Sequence, residues 1–372
     1  MRKRTEYLNK HPYKIWQGKD KKWYTYLPHS EKGRVMAKRV SKKALEDVII
    51  EYVREEEENP TLEELFKEWA DSKLAYKEIT IPTYQRYYRD FDKYFGDSKK
   101  VRVKKVDEYW IENFIKTAVV EHELSQKRLC NLKTTIKGIF QLAKKKKLVT
   151  FSISSVLGDI SISKTLLHKP VHDEDAQVFK DDEKPIVIKH LTDNPDMLNL
   201  GLLLMFNTGM RVGELCTLTW ADVTGNTIHV HRTESVYQDA EGHMVYDVKE
   251  SPKTEAGDRD VILPDSAMWI LKKLRHLNPF GNFMFEQNQK RMRAFQFRNR
   301  LRLVCDKVKI VPKSPHKIRR TYGTNLIDQN VPEGIIIKQM GHTNIQCTRQ
   351  YYYYSTKTTE QTVEEINRAV AF

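Results

Sequence analysis

The tightest constraint on how this chain can fold is a pair of breaks in its periodicity, because one hydrophobic pattern cannot serve three packing schemes. The first break runs from Glu55 to Pro60. Directly after it comes Thr61-Leu-Glu-Glu64, where the Thr hydroxyl and the Glu carboxylate can each satisfy a backbone N–H and open a helix. The second is the stretch 161–183, polar, of mixed charge, holding Pro170 and showing no period, which reads as a linker. At 372 residues the chain needs more than one core. The expected class is multidomain α+β: a small three-stranded sheet plus helix over 1–58, an all-α domain over 61–160, and a mostly helical domain with a small β-sheet over 184–372.

Within 1–58, Tyr13-Lys-Ile-Trp16 and Lys22-Trp-Tyr-Thr-Tyr26 have strand character and are parted by Gly18-Lys-Asp20, a turn signal. Arg34 to Lys38 is a third strand candidate, and Ser41 caps a helix from Lys42 to about Arg54. Cations interleave with Tyr and Trp along these strands. That suits a sheet presented to a DNA groove; the alternative is a solvated sheet over an aromatic core.

The next segment reads as helical throughout. Leu62, Leu65, Phe66, Trp69 and Leu74 share one helical face, and Tyr84, Tyr87, Tyr88, Phe91, Tyr94 and Phe95 form another, both taken as core. Further helices are expected over 108–117 and 125–144. On the last of these, Lys127, Arg128, Lys133, Lys137 and the run Lys144–Lys147 form a basic exterior that favours a clamp on a phosphate backbone over a merely solvated face.

Charge narrows the partner. Lysine and arginine number 64 against 50 acidic residues, a formal +14, which points first to nucleic acid. No apolar run approaches the ~18 residues of a membrane span, and the start lacks a secretory core, so a cytoplasmic, nucleoid-associated protein is expected. Cys130, Cys216, Cys305 and Cys347 lie far apart, and the 12 histidines show no ligand spacing. Neither a metal nor another cofactor is expected.

The chemistry concentrates after residue 185. Leu200–Phe206 is a buried-helix run ending in Asn207-Thr-Gly-Met-Arg211, followed by Val212-Gly-Glu214-Leu215. An arginine at such a packed junction is costly unless an anion meets it, either a bound phosphate or an internal partner such as Glu214. In Ser314-Pro-His316-Lys-Ile-Arg319, His316 and Arg319 share a helical face. They offer a proton carrier and a two-pronged donor for phosphate oxygens, or simply a polar surface. Gly341-His342 turns the chain toward Tyr351-Tyr-Tyr-Tyr354, which alone could be an aromatic packing face.

Together and in this order, these fragments resemble the tyrosine recombinase family of phage-type integrases. The arginine box matches at Thr208–Leu215, the H-x-x-R box at His316–Arg319 and the G-H box at Gly341-His342. A tyrosine follows nine or ten residues later. The resemblance implies catalytic roles for Arg211, Lys253, His316, Arg319, His342 and Tyr351 (or Tyr352, which family spacing also permits), with Glu214 in support. Lys253, in Ser251-Pro-Lys-Thr-Glu-Ala-Gly-Asp-Arg259, matches the lysine that the family carries in a β-hairpin. It further implies a SAM-like core-binding bundle over 61–160 and an arm-binding domain over 1–58, as in integrases of phages and conjugative transposons.

Expected partners are therefore double-stranded DNA at core and arm sites, other copies of this chain in a tetrameric synapse, and DNA-bending or excision accessory proteins. The implied reaction is site-specific recombination through a 3′-phosphotyrosine. The alternatives are a non-catalytic architectural or regulatory DNA-binding protein and a type IB topoisomerase-like activity.

Overall fold

The computed structural model describes residues 2–29, 33–169, 176–250, 255–344, 346 and 354–370. Their contacts divide the chain into two compact units, Met1–Pro170 and Val171–Phe372.

The first unit opens on a helix that the sequence reading did not anticipate, α1 (Arg2–Asn9). Its Tyr7 and Leu8 pack on Leu45 and Ile49, and Arg4 meets Asp47 at 2.6 Å. Strands β1 (Trp16–Gln17), β2 (Trp23–His29) and β3 (Gly33–Arg39) make an antiparallel sheet in that order. β1 is shorter than expected. Pairing of Tyr24 with Lys38, Tyr26 with Met36 and Pro28 with Arg34 sends these side chains to one face. Trp23, Leu27 and Ala37 go to the other, against α2 (Lys42–Glu58). Ser41 caps α2 through Ala44 N–H at 3.2 Å, and the helix runs four residues past the expected Arg54.

Five helices follow: α3 (Leu62–Ala75), α4 (Ile81–Phe95), α5 (Glu108–Glu121), α6 (Gln126–Lys145) and α7 (Ile153–Asp159). The box opening α3 forms as its sequence dictates: Thr61 N–H donates to Glu64 at 2.7 Å and Glu64 N–H to the Thr61 hydroxyl at 3.2 Å. The aromatic stripes are core. Phe66 stacks on Phe91 at 3.9 Å, and Tyr87, Tyr94 and Phe95 are buried beside them. The stretch read as a linker is partly packed at both ends: His168 N–H donates to Leu124 O in the first unit, while Val178 and Phe179 are fully buried in the second.

The second unit is built around α9 (Met197–Thr208), apolar on every side and buried from Asn199 to Phe206. Against it pack α8 (Glu183–Asp193), α11 (Met268–Leu277), α12 (Ala294–Lys307) and α13 (Pro315–Asp328). The one-turn helix α10 (Val212–Leu215) and α14 (Glu333–Met340) complete the site region. Strands β4 (Val223–Thr224), β5 (Thr227–Val230) and β8 (Arg259–Ile262) form one sheet; β6 (Thr233–Gln238) and β7 (Met244–Lys249) form a separate hairpin, as do the short β9 (Glu286–Gln287) and β10 (Lys290–Arg291). A hairpin around Lys253 was expected, yet among the described residues its flanking strands β7 and β8 belong to different sheets. The last described helix, Thr359–Ala369, exposes Val363 and Ile366. No described helix is long and apolar enough to cross a membrane.

Candidate active site

The arginine box begins where α9 ends. Gly209 closes that helix at φ +65°, and a Cβ there would lie 2.2 Å from the Tyr322 ring, so the turn requires glycine on two counts. The turn delivers Arg211 to the N-cap of α10. Its backbone N–H donates to Glu214 Oε2 at 2.8 Å and its Nη1 to Oε1 at 2.7 Å. The internal pairing weighed against phosphate binding is thus present. It does not preclude that binding, since the Arg211 side chain stays 40% exposed while that of Glu214 is 7% exposed.

Glu214 has a second, deeper partner. Arg259, opening β8, donates Nη2 to Oε2 at 2.8 Å and Nη1 to Oε1 at 3.2 Å, with both side chains buried. Burial alone would raise the carboxyl, but Arg259, then Arg211 and Arg319, outweigh it and hold the pKa down to about 2. Glu214 is therefore an anion clasped between two guanidiniums.

The H-x-x-R box lies on α13, which Pro315 starts in its first turn. Arg319 is fully buried. Its Nη1 donates to Gly209 O at 2.8 Å, and its Nη2 donates to Met340 O and to His342 Nε2, the latter at 3.0 Å. Those carbonyls sit at the C-terminal ends of α9 and α14, where a cation is favoured. A guanidinium can only donate, so His342 Nε2 accepts and the neutral ring carries its proton on Nδ1. Gly341, at φ +62°, makes the turn; a Cβ there would approach Arg259 Cδ and Ala256 O to 2.8 Å.

Both histidines are held neutral. Burial and then Arg319, Arg211 and Arg259 push His342 down to about 3. Partial withdrawal from water, followed by Arg320, Arg319, Lys317 and Arg211, pushes His316 down to about 4, although its ring keeps an exposed face. Burial with Arg320 and Lys313 nearby lowers Lys317 to about 8.

Of the residues singled out in the sequence, Arg211, Glu214, Arg319 and His342 belong to one linked set, and His316 senses the charge of both arginines. Lys253, Tyr351 and Tyr352 lie outside the described residues. Tyr354, the last of the run, donates its N–H to the Thr324 hydroxyl at 3.2 Å and lies under the Arg320 guanidinium, 4.9 Å from its ring centre.

The sequence reading gave Arg259 no role. A signal was there: Arg259 alternates with Val261 and Leu263 on the buried face, and a cation in register with two core residues needs a buried anion. Away from this junction, Asp239, Glu241 and His243 at the exposed β6–β7 turn bring potential metal ligands within 4.8 Å of one another.

Residues 178–358 match the phage integrase family. A tyrosine recombinase XerC-like protein of Caldanaerobacter subterraneus subsp. tengcongensis is 24% identical over 76% of this chain and 69% of its own length. The transposase of transposon Tn916 from Enterococcus faecalis is also 24% identical, over 63% of this chain; the match spans only 60% of that transposase. Among solved structures, the transposon Tn1549 integrase in complex with a circular intermediate DNA superposes with a TM-score of 0.63, at 18% identity, covering 83% of this chain and 99% of that one. A lambda integrase dimer bound to a COC′ core site gives 0.56 at 14% identity, covering 92% and 95%. At such identities the superpositions speak for the fold. Taken with the family match over residues 178–358 and the named relatives, the boxes that meet around Glu214 support a tyrosine recombinase that resembles the integrases of conjugative transposons.

Proposed function

We propose that the chain integrates or excises a mobile element by cutting and rejoining DNA at specific sites through a 3′-phosphotyrosine. The observation that carries this reading is the single cationic junction in which Arg211, Arg319 and His342 meet around one buried carboxylate, with His316 feeling the charge of both arginines. A phosphodiester gains charge on its oxygens as it reacts, and preorganised cations lower that barrier. Arg211, half-exposed, meets a non-bridging oxygen directly. Arg319 acts from beneath, adding charge and orienting His342, whose Nδ1–H is the further donor.

Tyr351 (alternatively Tyr352) attacks phosphorus. Neutral His316 accepts the phenolic proton, for which its lowered pKa keeps it available. The P–O5′ bond breaks, and Lys253 protonates the departing 5′ oxygen. Because the phosphotyrosine conserves the energy of the broken bond, rejoining needs no external energy source.

The segments 1–58 and 61–160 take the arm-binding and core-binding roles. Supporting the first, the open sheet face carries Trp16 stacked near Tyr24 and Arg34 over Tyr26 at 4.4 Å. A solved lambda integrase tetramer on a Holliday junction, TM-score 0.54, supports assembly of several copies on DNA. The relatives' recombinase and transposase names favour strand exchange over an architectural or topoisomerase role.

A nicked suicide substrate tests the reading. Wild type should trap a covalent protein–DNA adduct, Tyr351→Phe should abolish it, and DNA affinity should barely change because one hydroxyl is lost from a large interface. Mass spectrometry of the linked peptide discriminates further: an adduct on Tyr352 reassigns the nucleophile, and an adduct on neither overturns the mechanism.

A further inference from the structure

Arg259 makes more contacts to the site framework than any role in the reaction has so far explained. Its guanidinium is bidentate on Glu214, the carboxylate that also holds Arg211 by backbone and side chain. Its Nε donates to Gln339 O at 3.1 Å, two residues before Gly341, and Nη1 reaches Gly257 O at 3.2 Å. The Gln339 side chain returns the link: Ile262 N–H donates to its Oε1 at 3.2 Å and its amide donates to Ile262 O at 2.7 Å. Strand β8 is thereby stitched to α14 on one side and to the arginine box on the other.

The geometry decides what this can do. A carboxylate held at two oxygens by a buried fork cannot swing, so the Nη1 donor of Arg211 inherits a fixed direction. Without Arg259, Glu214 would be held chiefly by the half-exposed Arg211 and would follow that side chain's motion. We infer that Arg259 is a positioning residue: it orients Arg211 toward the scissile phosphate through Glu214, and sets the Gly341-His342 turn through the Gln339 carbonyl. This rests on the proposed contact between Arg211 and a phosphate oxygen.

A charge-deleted substrate separates this from a merely structural role. In a methylphosphonate, one non-bridging oxygen is replaced by a methyl group, so the phosphorus centre carries no net negative charge and depends less on a cation at that oxygen. Cleavage rates are measured on nicked duplexes built on the wild-type cleavage site, with a phosphodiester or with each stereoisomer of a methylphosphonate at the scissile position. The ratio of the two rates does not depend on the fraction of protein that is folded.

Arg211→Ala should shift that ratio toward the methylphosphonate for one stereoisomer. Arg259→Gln should shift it in the same direction, by about tenfold or more, given that a displacement near 1 Å can cost about 10²-fold. Arg259→Lys, which keeps the charge but not the fork, should fall between. In an Arg211→Ala background, Arg259→Gln should leave the ratio where Arg211→Ala put it. A wild-type ratio for Arg259→Gln beside a shifted one for Arg211→Ala overturns the inference alone. An unshifted ratio for Arg211→Ala on both stereoisomers overturns the phosphate reading and this inference with it.

Discussion

Two arginine-bearing regions of this protein, the N-terminal sheet and the junction around Glu214, use their cations in opposite ways. On the N-terminal sheet, Arg34, Lys38, Tyr24 and Tyr26 lie on an open face with water around them. In the junction around Glu214, Arg259 and Arg319 are buried and most of the donors described there end on a carboxylate, a carbonyl or a ring nitrogen. Under the proposed arm-binding role, cations on the open face are interchangeable in kind, each contributing a phosphate contact that salt screens. The buried cations of the junction, Arg259 and Arg319, are framework, and their removal strands a partner out of water.

That contrast breaks most readily at Arg319. Arg319→Ala should cost roughly 3–5 kcal/mol of stability, because it unbinds two helix-end carbonyls and His342 in a dry site. Arg211→Ala should cost roughly 1 kcal/mol or less, since Glu214 keeps Arg259 and the Arg211 side chain is already partly in water. Both should slow cleavage by about 10²–10³. Thermal denaturation beside single-turnover cleavage checks the pair. Equal stability losses would mean that Arg319 is no more structural than Arg211.

Acid should distinguish the regions next. His316 and His342 titrate at about 4 and about 3 in the fold, below the ~6.5 of free imidazole. Between those values the unfolded chain binds more protons, so stability present above ~6.5 declines as pH falls toward ~4. Glu214, lowered to about 2, adds a further loss below its ordinary ~4.5. In the full chain the second unit should therefore melt earlier at pH 5 than at pH 7, and His342→Gln should flatten that dependence. An unchanged slope in His342→Gln would take His342 out of the account.

The smallest effect belongs to the open sheet. Deleting residues 1–58 should leave footprints at the core crossover site and erase those at a second class of site. Arg34→Ala within the intact chain should merely lower the salt slope of that second binding by about 0.9, one phosphate's share. A loss of core-site cleavage in Arg34→Ala would show the two regions to be coupled rather than separate in function.

What the chain determines by sequence alone is local. Ser41, Thr61, Asp107 and Ser125 cap their helices through the N–H group three residues on, and the aromatic stripes of α3 and α4 repeat at helical spacing. The boxes around Arg211, His316 and His342 were legible for a related reason, because each spans a turn or a single helical face. Only the tertiary structure decides the rest. Arg259 meets Glu214 across 45 positions, Gln339 O across 80, and Arg319 meets Gly209 O across 110. Such pairs leave no periodic trace, since a buried ion pair needs only that the chain return to one point in space. The same holds for α1, whose eight residues form a helix against α2 that their own pattern did not announce, and for the separation of β7 from β8 into different sheets. Local hydrogen bonds can be read from neighbouring letters. Which distant cation closes on which buried anion is settled by packing, because only there is the penalty for an unpaired charge large enough to choose.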